Sequence, residues 1–276
     1  MAAETPHGAD AGRSDGDASG PTRRRLLGAL GAGVAAGLGG CIGGVDGRRT
    51  GADDRRIERS FTVVTGAGTS ELRYEIPAAA YESAREAAPA VPAAVRAARS
   101  AAFLDGLAER LQELTASPAG AVRAARSLTA RLPYVTDVAS TGDREYVRHP
   151  AETLVDGRGD CDDVAVLLMA LLSRPAFGYR TGLVMPRNHC ATLVARDDLP
   201  TEPVRDPLTV SPGDTEFVYV EAVQRVRAGD WARAYGERPV LAAYLDGWHV
   251  LDGRALLDSV GAELDRATIG SLGRYV

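Results

Sequence analysis

The chain has 276 residues, of which 45% are hydrophobic, so it is long and apolar enough for one sizeable folded domain and is not a wholly disordered protein. Its net charge of −5 argues against a large nucleic-acid-binding surface, because binding to phosphates needs a concentrated basic face. The three cysteines, Cys41, Cys161 and Cys190, are too few for a disulfide scaffold.

The N-terminal segment has the pattern of an export signal. Arg23, Arg24 and Arg25 form a twin-arginine pattern after a polar leader. Residues 26–40 are weakly apolar. This run is shorter than the roughly 20 residues needed to span a membrane, which is typical of a signal-peptide core. It ends in LGGC at Cys41, which resembles a lipobox, where cleavage precedes a cysteine that takes lipid.

We therefore predict a twin-arginine lipoprotein-type signal at residues 1–40, lipidation of Cys41 and a flexible tether at residues 41–56. The alternative is an uncleaved anchor. Both interpretations put the rest of the chain outside the cytoplasm; with lipid at Cys41, it is anchored to the outer face of the cell membrane.

The next part of the chain predicts a hairpin followed by helices. Strand candidates at 60–65 and 72–76 flank a glycine-containing turn, which is the spacing of a hairpin. Residues 78–114 are rich in alanine and mostly helical, with interruptions at Pro89 and Pro92.

A further helix is predicted to begin with Ser117 as its cap and Pro118 at its first position, and to end at Arg131. The polar segment 135–149 is expected to be a loop.

The central stretch of the sequence predicts a buried helix that begins at a cysteine. Asp160 precedes Cys161, and nine apolar residues follow at 164–172, which indicates a helix that is apolar on every side. The N–H groups and dipole at the start of a helix favour a thiolate. Asp160, Asp162 and Asp163 oppose it, because nearby anions disfavour a second negative charge.

The second half of the chain predicts an antiparallel sheet. Strands are expected at 179–185, 190–195 and 216–223, and the C-terminal segment adds a possible strand at 248–251 and a helix at 254–265. A helix-rich first half and successive strands in the second half indicate an α+β domain.

His189 is the histidine best placed for chemistry. It lies 28 residues after Cys161, and the central helix and one strand fill the interval, so the chain can return it to the start of the helix. A histidine there can deprotonate the thiol. His149 and His249 are expected to be structural. The carboxylate that orients the imidazole is either Glu221 or Asp252.

Other uses of these residues are less economical. Helix capping explains Asp160, Asp162 and Asp163, which lack the regular ligand spacing of a calcium loop. A zinc site at the thiol would need ligands that the sequence does not offer. Cys190 is expected to face away from His189 and to pack as a small hydrophobic residue, although a disulfide with Cys161 is conceivable outside the cytoplasm. We expect neither a cofactor nor a metal ion.

The residues around the cysteine resemble a known group. The sequence GDCDD at 159–163, followed by an apolar helix, resembles the nucleophile segment of the transglutaminase-like superfamily of papain-related cysteine folds. LPYVTD at 132–137 and PAETL at 150–154 resemble its upstream flank in prokaryotic transglutaminase-like and cysteine-peptidase-like members. His189 resembles the family histidine, and Glu221 lies where some members carry an acidic third residue.

The resemblance implies that Cys161 is the nucleophile, His189 the base and Glu221 the orienting acid. It also implies a papain/transglutaminase-like fold, in which a central buried helix carries the cysteine and packs on an antiparallel sheet. We assign this domain to residues 57–240, which leaves 241–276 as a C-terminal extension of unknown role.

The sequence departs from the family pattern at two positions. Cys190 follows the histidine where many members have an aromatic or small apolar residue, and Glu221 stands where others have aspartate. The departure at Glu221 leaves Asp252 open as the third residue.

We predict an extracytoplasmic, lipid-anchored thiol enzyme that transfers acyl groups or hydrolyses amide bonds in peptides or proteins. Hydrolysis is favoured, because water is always available and no amine site is recognisable. The alternative is a catalytically inactive surface module of the same fold that binds peptide or envelope polymer. The expected partners are a protein or peptide substrate and, through the lipid, the membrane, but no nucleic acid.

Overall fold

The structure is a computed structural model that describes residues 55–66, 68–200, 203, 205–225, 227–230 and 237–255, with the backbone alone at 237–239. The predicted signal at 1–40, Cys41 and nearly all of the predicted tether lie outside the described residues. So does nearly all of the helix predicted at 254–265. Among the helices in the described part, none is long and apolar enough to cross a membrane.

The elements follow the order that the sequence predicts, with helices mostly before strands. The helices are α1 (Ala78–Glu86), α2 (Val91–Ser100), α3 (Phe103–Glu113), α4 (Pro118–Thr129), α5 (Asp137–Ser140), α6 (Pro150–Asp156) and α7 (Cys161–Ser173). The strands are β1 (Arg56–Thr65), β2 (Gly68–Pro77), β3 (Thr181–Arg187), β4 (Ala191–Ala195), β5 (Thr209–Val210), β6 (Phe217–Val220), β7 (Glu237–Tyr244) and β8 (Trp248–Val250).

Strands β1 and β2 form the predicted hairpin as a separate two-stranded sheet, and both strands are longer than expected. Phe61 pairs with Leu72 and both side chains are buried, so one face of the hairpin joins the core. The hairpin lies against α4, where the backbone N–H of Val64 donates to Ser127 Oγ at 2.7 Å.

Helices α1 to α4 form where the apolar spacing and capping residues predict them. The alanine-rich stretch breaks before Val91, and Pro92 lies in the first turn of α2, where a missing N–H costs little. In α3, Leu104, Leu107 and Leu111 are fully buried on one face. Ser117 caps α4 by accepting a hydrogen bond from the backbone N–H of Gly120 at 3.2 Å.

Helix α7 lies at the centre of the domain. All side chains from Asp163 to Leu172 are buried, as the uninterrupted apolar run predicts. The helix contacts α2, α3, α4 and α6 and also strands β3 and β4. Because it is packed on every side, its first residue, Cys161, is fixed relative to the sheet.

The main sheet is antiparallel at each of its pairings and has the strand order β5-β6-β4-β3-β7-β8. The molecule is therefore an α+β protein, as predicted. Strand β4 begins at Ala191 rather than at residue 190, because Asn188 adopts a left-handed conformation (φ 59°) and ends the preceding strand in a turn. His189 consequently lies in the β3–β4 turn, and Glu221 lies directly after β6.

The sheet continues beyond residue 240. Strand β7 pairs with β3, and β8 pairs with β7 through Tyr244 and Trp248. The rings of these two residues make an edge-on contact with centroids 5.1 Å apart. Part of the segment 241–276, for which the sequence predicted no role, thus completes one edge of the sheet.

Candidate active site

Cys161 is the first residue of α7 and is partly buried. The backbone N–H of Cys190 donates a hydrogen bond to its sulfur, so the main chain directly after His189 lies against the thiol. A hydrogen bond also joins the thiol to the hydroxyl of Tyr134. Three segments that are distant in the sequence therefore meet at this sulfur atom.

The surroundings of Cys161 hold its thiol in the neutral form. Burial is the largest cause and raises the pKa of the thiol well above its ordinary value, and the carboxylates of Asp162 and Asp160 raise it further. Hydrogen bonds from the Cys190 N–H and from Tyr134 lower the pKa, but by less. The opposition of the aspartates, expected from the sequence, is present, and a proton acceptor is needed to make the sulfur a nucleophile.

His189 is held in the β3–β4 turn. Its backbone N–H donates to the carbonyl of Pro186 at 3.2 Å, and only 1% of its side chain is exposed. Its Nε2 lies 3.0 Å from Oε2 of Glu221. The imidazole is thus oriented by a carboxylate on the neighbouring part of the sheet.

Glu221 has a partner for each carboxylate oxygen. Its side chain is fully buried. Its Oε1 accepts hydrogen bonds from the backbone N–H groups of Ala222 at 2.8 Å and Val223 at 3.0 Å, and its Oε2 accepts from the Tyr219 hydroxyl as well as facing His189. Burial raises the pKa of Glu221, but the contacts with His189, Tyr219 and Val223 outweigh burial, so its pKa lies below the ordinary value.

The other sequence candidates lie in different surroundings. Oδ1 of Asp252 accepts a hydrogen bond from the backbone N–H of Ala255 at 2.9 Å, three residues later in the chain. His149 precedes α6 and is buried, with its Nε2 3.1 Å from the carbonyl of Ala88. His249 lies in β8 and is half-buried. Of the two carboxylates considered for the third position, Glu221 is the one hydrogen-bonded to His189.

A buried arginine beside the start of α7 was not foreseen from the sequence. Nη1 of Arg148 lies 2.7 Å from Asp163 Oδ2 and 3.7 Å from Asp137 Oδ1, and the backbone N–H of Arg148 donates to Asp163 Oδ1 at 2.6 Å. Asp163 Oδ2 also accepts from the backbone N–H of Asp160 at 3.1 Å, which fixes the first turn of the helix. Nothing in the sequence distinguished this arginine from the exposed ones.

The carboxylates beside Arg148 are the only group in the described part of the chain with metal-binding geometry. Asp137, Asp160 and Asp163 each offer an oxygen, and these oxygens lie within 4.8 Å of one another. Burial raises the pKa of Asp137 to about 6 and that of Asp163 to about 7. The Arg148 guanidinium supplies one positive charge among these oxygens, through its contacts with Asp163 and Asp137, so the three carboxylates outnumber this cation.

Both described cysteines are free thiols. Cys190 is 4% exposed and belongs to the core on the α7 side of the sheet, so it packs as a small hydrophobic residue, as expected. The disulfide between Cys161 and Cys190 that the sequence allowed is not formed.

Comparisons with known proteins give a limited result. No family model matches the chain, and no curated protein matches it. Among solved structures, the chain resembles LapG of Legionella pneumophila in its calcium-bound form, with 17% identity and a TM-score of 0.34 over 53% of this chain and 75% of that chain.

The EGTA-treated form of LapG gives the same identity of 17% and TM-score of 0.34 over 58% of this chain and 85% of that one. A further LapG structure gives 17% and 0.34 over 59% and 88%. These values describe a weak likeness of fold and carry no conclusion about activity.

Proposed function

We propose that the protein is a thiol enzyme of the transglutaminase-like superfamily that acts on amide bonds of peptides or proteins, with Cys161 as nucleophile, His189 as base and Glu221 as the orienting acid. In this proposal the fold is of the papain/transglutaminase type, with α7 as the central helix. The observation that carries the proposal is the buried hydrogen bond of 3.0 Å between His189 and Glu221, in a turn whose next residue donates its N–H to the Cys161 sulfur.

The hydrogen bond assigns roles to the two ring nitrogens of His189. If Nε2–H donates to Glu221, then Nδ1 carries the lone pair that accepts the thiol proton. The raised pKa of Cys161 keeps its thiol neutral at rest, so in this proposal the proton moves to His189 as the sulfur attacks. The buried carboxylate of Glu221 then stabilises the imidazolium that forms.

The reaction follows from these roles. The sulfur of Cys161 bonds to the carbonyl carbon while His189 takes its proton, and the carbonyl oxygen becomes an oxyanion. When the oxyanion collapses, the carbon–nitrogen bond breaks, His189 returns the proton to the departing amine, and a thioester remains. Water then releases the acid, and Cys161 recovers its proton through His189. An amine in place of water would make the same site a transglutaminase.

The proposal is tested by the reaction of the thiols with iodoacetamide, followed by mass spectrometry. Cys161 should be alkylated first, because Cys190 is 4% exposed whereas Cys161 is only partly buried. His189→Ala should slow the alkylation of Cys161, whereas His249→Ala, on a half-buried strand position, should not. Equal labelling of both cysteines, with no response to His189→Ala, would contradict the proposed enzymatic function.

One observation favours the alternative of a non-catalytic module that binds peptide or envelope polymer. The pKa of the Cys161 thiol is raised by burial and by Asp162 and Asp160, which is the condition of an unreactive cysteine. In that case Cys161→Ser should leave peptide binding intact, and a thiol-reactive activity probe should not label the wild-type protein.

The cellular placement is part of the same proposal. The mature protein begins at Cys41, carries lipid there, and is held at the outer face of the membrane by a tether at residues 41–56. Replacing Cys41 with alanine should release the folded domain from the membrane fraction. Retention of the Cys41→Ala protein in that fraction would favour an uncleaved anchor.

A further inference from the structure

Tyr134 lies at the candidate nucleophile although no role was predicted for it. Its hydroxyl shares a hydrogen bond with the thiol of Cys161, and 50% of the residue is exposed. Large side chains at half exposure are normal on a protein surface. A phenol that is hydrogen-bonded to a partly buried thiol, with its ring at the solvent boundary, is a different arrangement, because substrate must approach from the solvent side.

The backbone holds Tyr134 in this position. The backbone N–H of Val135 donates to the carbonyl of Gly159 at 3.0 Å, and the N–H of Gly159 donates to the carbonyl of Pro133 at 3.2 Å. These two bonds form a parallel bridge between Tyr134 and Gly159. Gly159 is two residues before Cys161, so the position of the phenol is coupled to the start of α7.

Gly159 is required for this contact. A Cβ atom at this position would lie 2.7 Å from Cβ of Asp163 and 2.8 Å from its Oδ2. Asp163 is itself fixed by Arg148 and by the N–H of Asp160, so it cannot move aside at low cost. The strand-like contact of 133–135 with Gly159 therefore depends on the absence of a side chain there.

The protonation state of Tyr134 suits a donor. Burial raises its pKa, and so do Cys161, Asp160 and Asp162, which means that the phenol keeps its proton at neutral pH. A protonated phenol cannot act as the base for the thiol. It can donate one hydrogen bond, to the sulfur in the resting protein or to a neighbouring oxygen during a reaction.

We infer that Tyr134 is a further catalytic residue, whose hydroxyl donates a hydrogen bond to the oxyanion formed when Cys161 attacks a carbonyl group; this inference rests on the proposed function. The oxyanion is attached to the carbon that bonds to Sγ, so a donor in contact with Sγ reaches it by rotation of the O–H bond. The hydroxyl keeps its proton throughout, and His189 carries the proton that moves from the sulfur to the departing group.

The test compares two reactions of the full-length chain, one that forms an oxyanion and one that does not. Acylation by p-nitrophenyl acetate passes through a tetrahedral oxyanion and releases p-nitrophenolate in a burst. Alkylation by iodoacetamide is a displacement at a saturated carbon and forms none. Tyr134→Phe keeps the ring and removes the hydroxyl. Tyr179→Phe is the matched control, because Tyr179 lies at the other end of α7, where its backbone N–H donates to the carbonyl of Leu172.

Tyr134→Phe should slow acylation about a hundredfold, the effect of losing one oxyanion donor. Alkylation should change by no more than about tenfold, the effect of one ordinary hydrogen bond to the sulfur. Tyr179→Phe should match the wild type in both reactions. An equal fall in both rates, or an unchanged or faster acylation, would overturn the inference and leave the proposed function standing.

Failure of the proposed function gives a different result. If the wild-type protein releases no more p-nitrophenolate in the burst than Cys161→Ser, then Cys161 is not a nucleophile toward carbonyl groups. That result overturns both the proposed enzymatic function and the inferred role of Tyr134. A burst that is present in the wild type and equally fast in Tyr134→Phe overturns the role of Tyr134 alone.

Discussion

Two buried pairs of side chains belong to the candidate site, the hydrogen-bonded His189 and Glu221 and the ion-paired Arg148 and Asp163, and their polar atoms are partnered to different extents. Around Glu221, both carboxylate oxygens accept hydrogen bonds from nearby donors. Around Arg148, three buried atoms have no hydrogen-bond partner among the described residues: Nε of Arg148 itself and Oδ1 of Asp137 and of Asp160.

The difference appears in the pKa values. The carboxylate of Glu221 is stabilised as an anion, because its donors offset the cost of burial and lower its pKa. The Arg148 group contains more carboxylates than cations, so burial and mutual repulsion raise the pKa values of Asp137 and Asp163. The Glu221 carboxylate therefore stays negatively charged beside the imidazole of His189. The Arg148 group instead holds the start of α7 in place at an electrostatic cost.

Removing the cation from the Arg148 group should have the largest effect. Arg148→Met keeps most of the side-chain volume but leaves Asp163 and Asp137 buried without a positive partner. We expect the free energy of unfolding to fall by about 3–5 kcal/mol. Urea denaturation followed by circular dichroism measures this change.

Arg158→Met, at an exposed position close in sequence, is the control and should change the free energy by less than about 0.5 kcal/mol. A loss of similar size in both variants would mean that the burial of Arg148 is not what stabilises the protein.

Removing the charge from the Glu221 pair should be less costly to stability but should affect the thiol. Glu221→Gln places an amide where two donors converge on Oε2, and we expect a loss of about 1.5–3 kcal/mol. The alkylation of Cys161 by iodoacetamide should also slow, because the imidazolium loses its carboxylate. Thiol labelling and urea denaturation on the same samples separate the two effects.

Two further variants sharpen this measurement. Glu216→Gln changes an exposed glutamate paired with Arg196 and should leave both quantities nearly unchanged. Asp252→Asn removes the charge of the other sequence candidate, whose Oδ1 accepts from Ala255. If Asp252→Asn slows the alkylation of Cys161 and Glu221→Gln does not, the roles of the two carboxylates are reversed.

The two pairs should also respond to pH in opposite directions. With pKa values raised to about 6 and about 7, Asp137 and Asp163 bind protons more tightly in the native state than in the unfolded chain. The free energy of unfolding should therefore fall as pH rises from about 4 to about 7. Glu221 has a lowered pKa in the folded protein, so its carboxylate stabilises the fold at pH values above its ordinary pKa of 4.5. This contribution is lost as the pH falls through the pKa that Glu221 has in the native state.

The wild-type protein should thus be most stable near pH 4, where the opposing contributions of Glu221 and of the two aspartates balance. Denaturation at a series of pH values measures the curve, and Asp137→Asn should flatten its neutral side, whereas Glu221→Gln should flatten its acidic side. A stability that is unchanged between pH 5 and pH 8 would contradict the raised pKa values.

The smallest effect concerns the carboxylates that oppose the thiolate. Asp162→Asn removes one negative charge near Cys161 and should lower the pKa of the thiol. We expect alkylation at pH 9 to become about threefold faster, which corresponds to about half a pKa unit. Asp143→Asn, in an exposed segment, is the control. Equal rates in the two variants would show that burial alone determines the pKa of Cys161.

The sequence was sufficient for the features that depend on local pattern. The apolar run at 164–172 predicted the buried helix, and Ser117 with Pro118 predicted the start of α4. His189 was selected because the central helix and one strand can return it to the start of the helix, and Glu221 was one of two candidates for its acid; the structure joins His189 and Glu221 in a hydrogen bond.

Features that depend on tertiary packing could not be read in this way. Arg148 is one of many arginines in the sequence, and only the folded chain shows that it is buried among aspartates. Strand β7 contains Pro239, which argues against a strand inside a sheet, yet it pairs with β3 at an irregular register around Pro186. Tyr134 reaches Cys161 through a single backbone bridge, for which the sequence has no periodic signal.

The turn between β3 and β4 also implies an order in which the site assembles during folding. The helix α7 and these two strands are contiguous in the chain, from Cys161 to Ala195, so their contacts close short loops. Strand β6, which directly precedes Glu221, must close the longer loop between Ala195 and Phe217 to pair with β4. The sulfur and the imidazole are therefore expected to meet early, before β6 docks on β4 and brings the carboxylate that holds the imidazole in place.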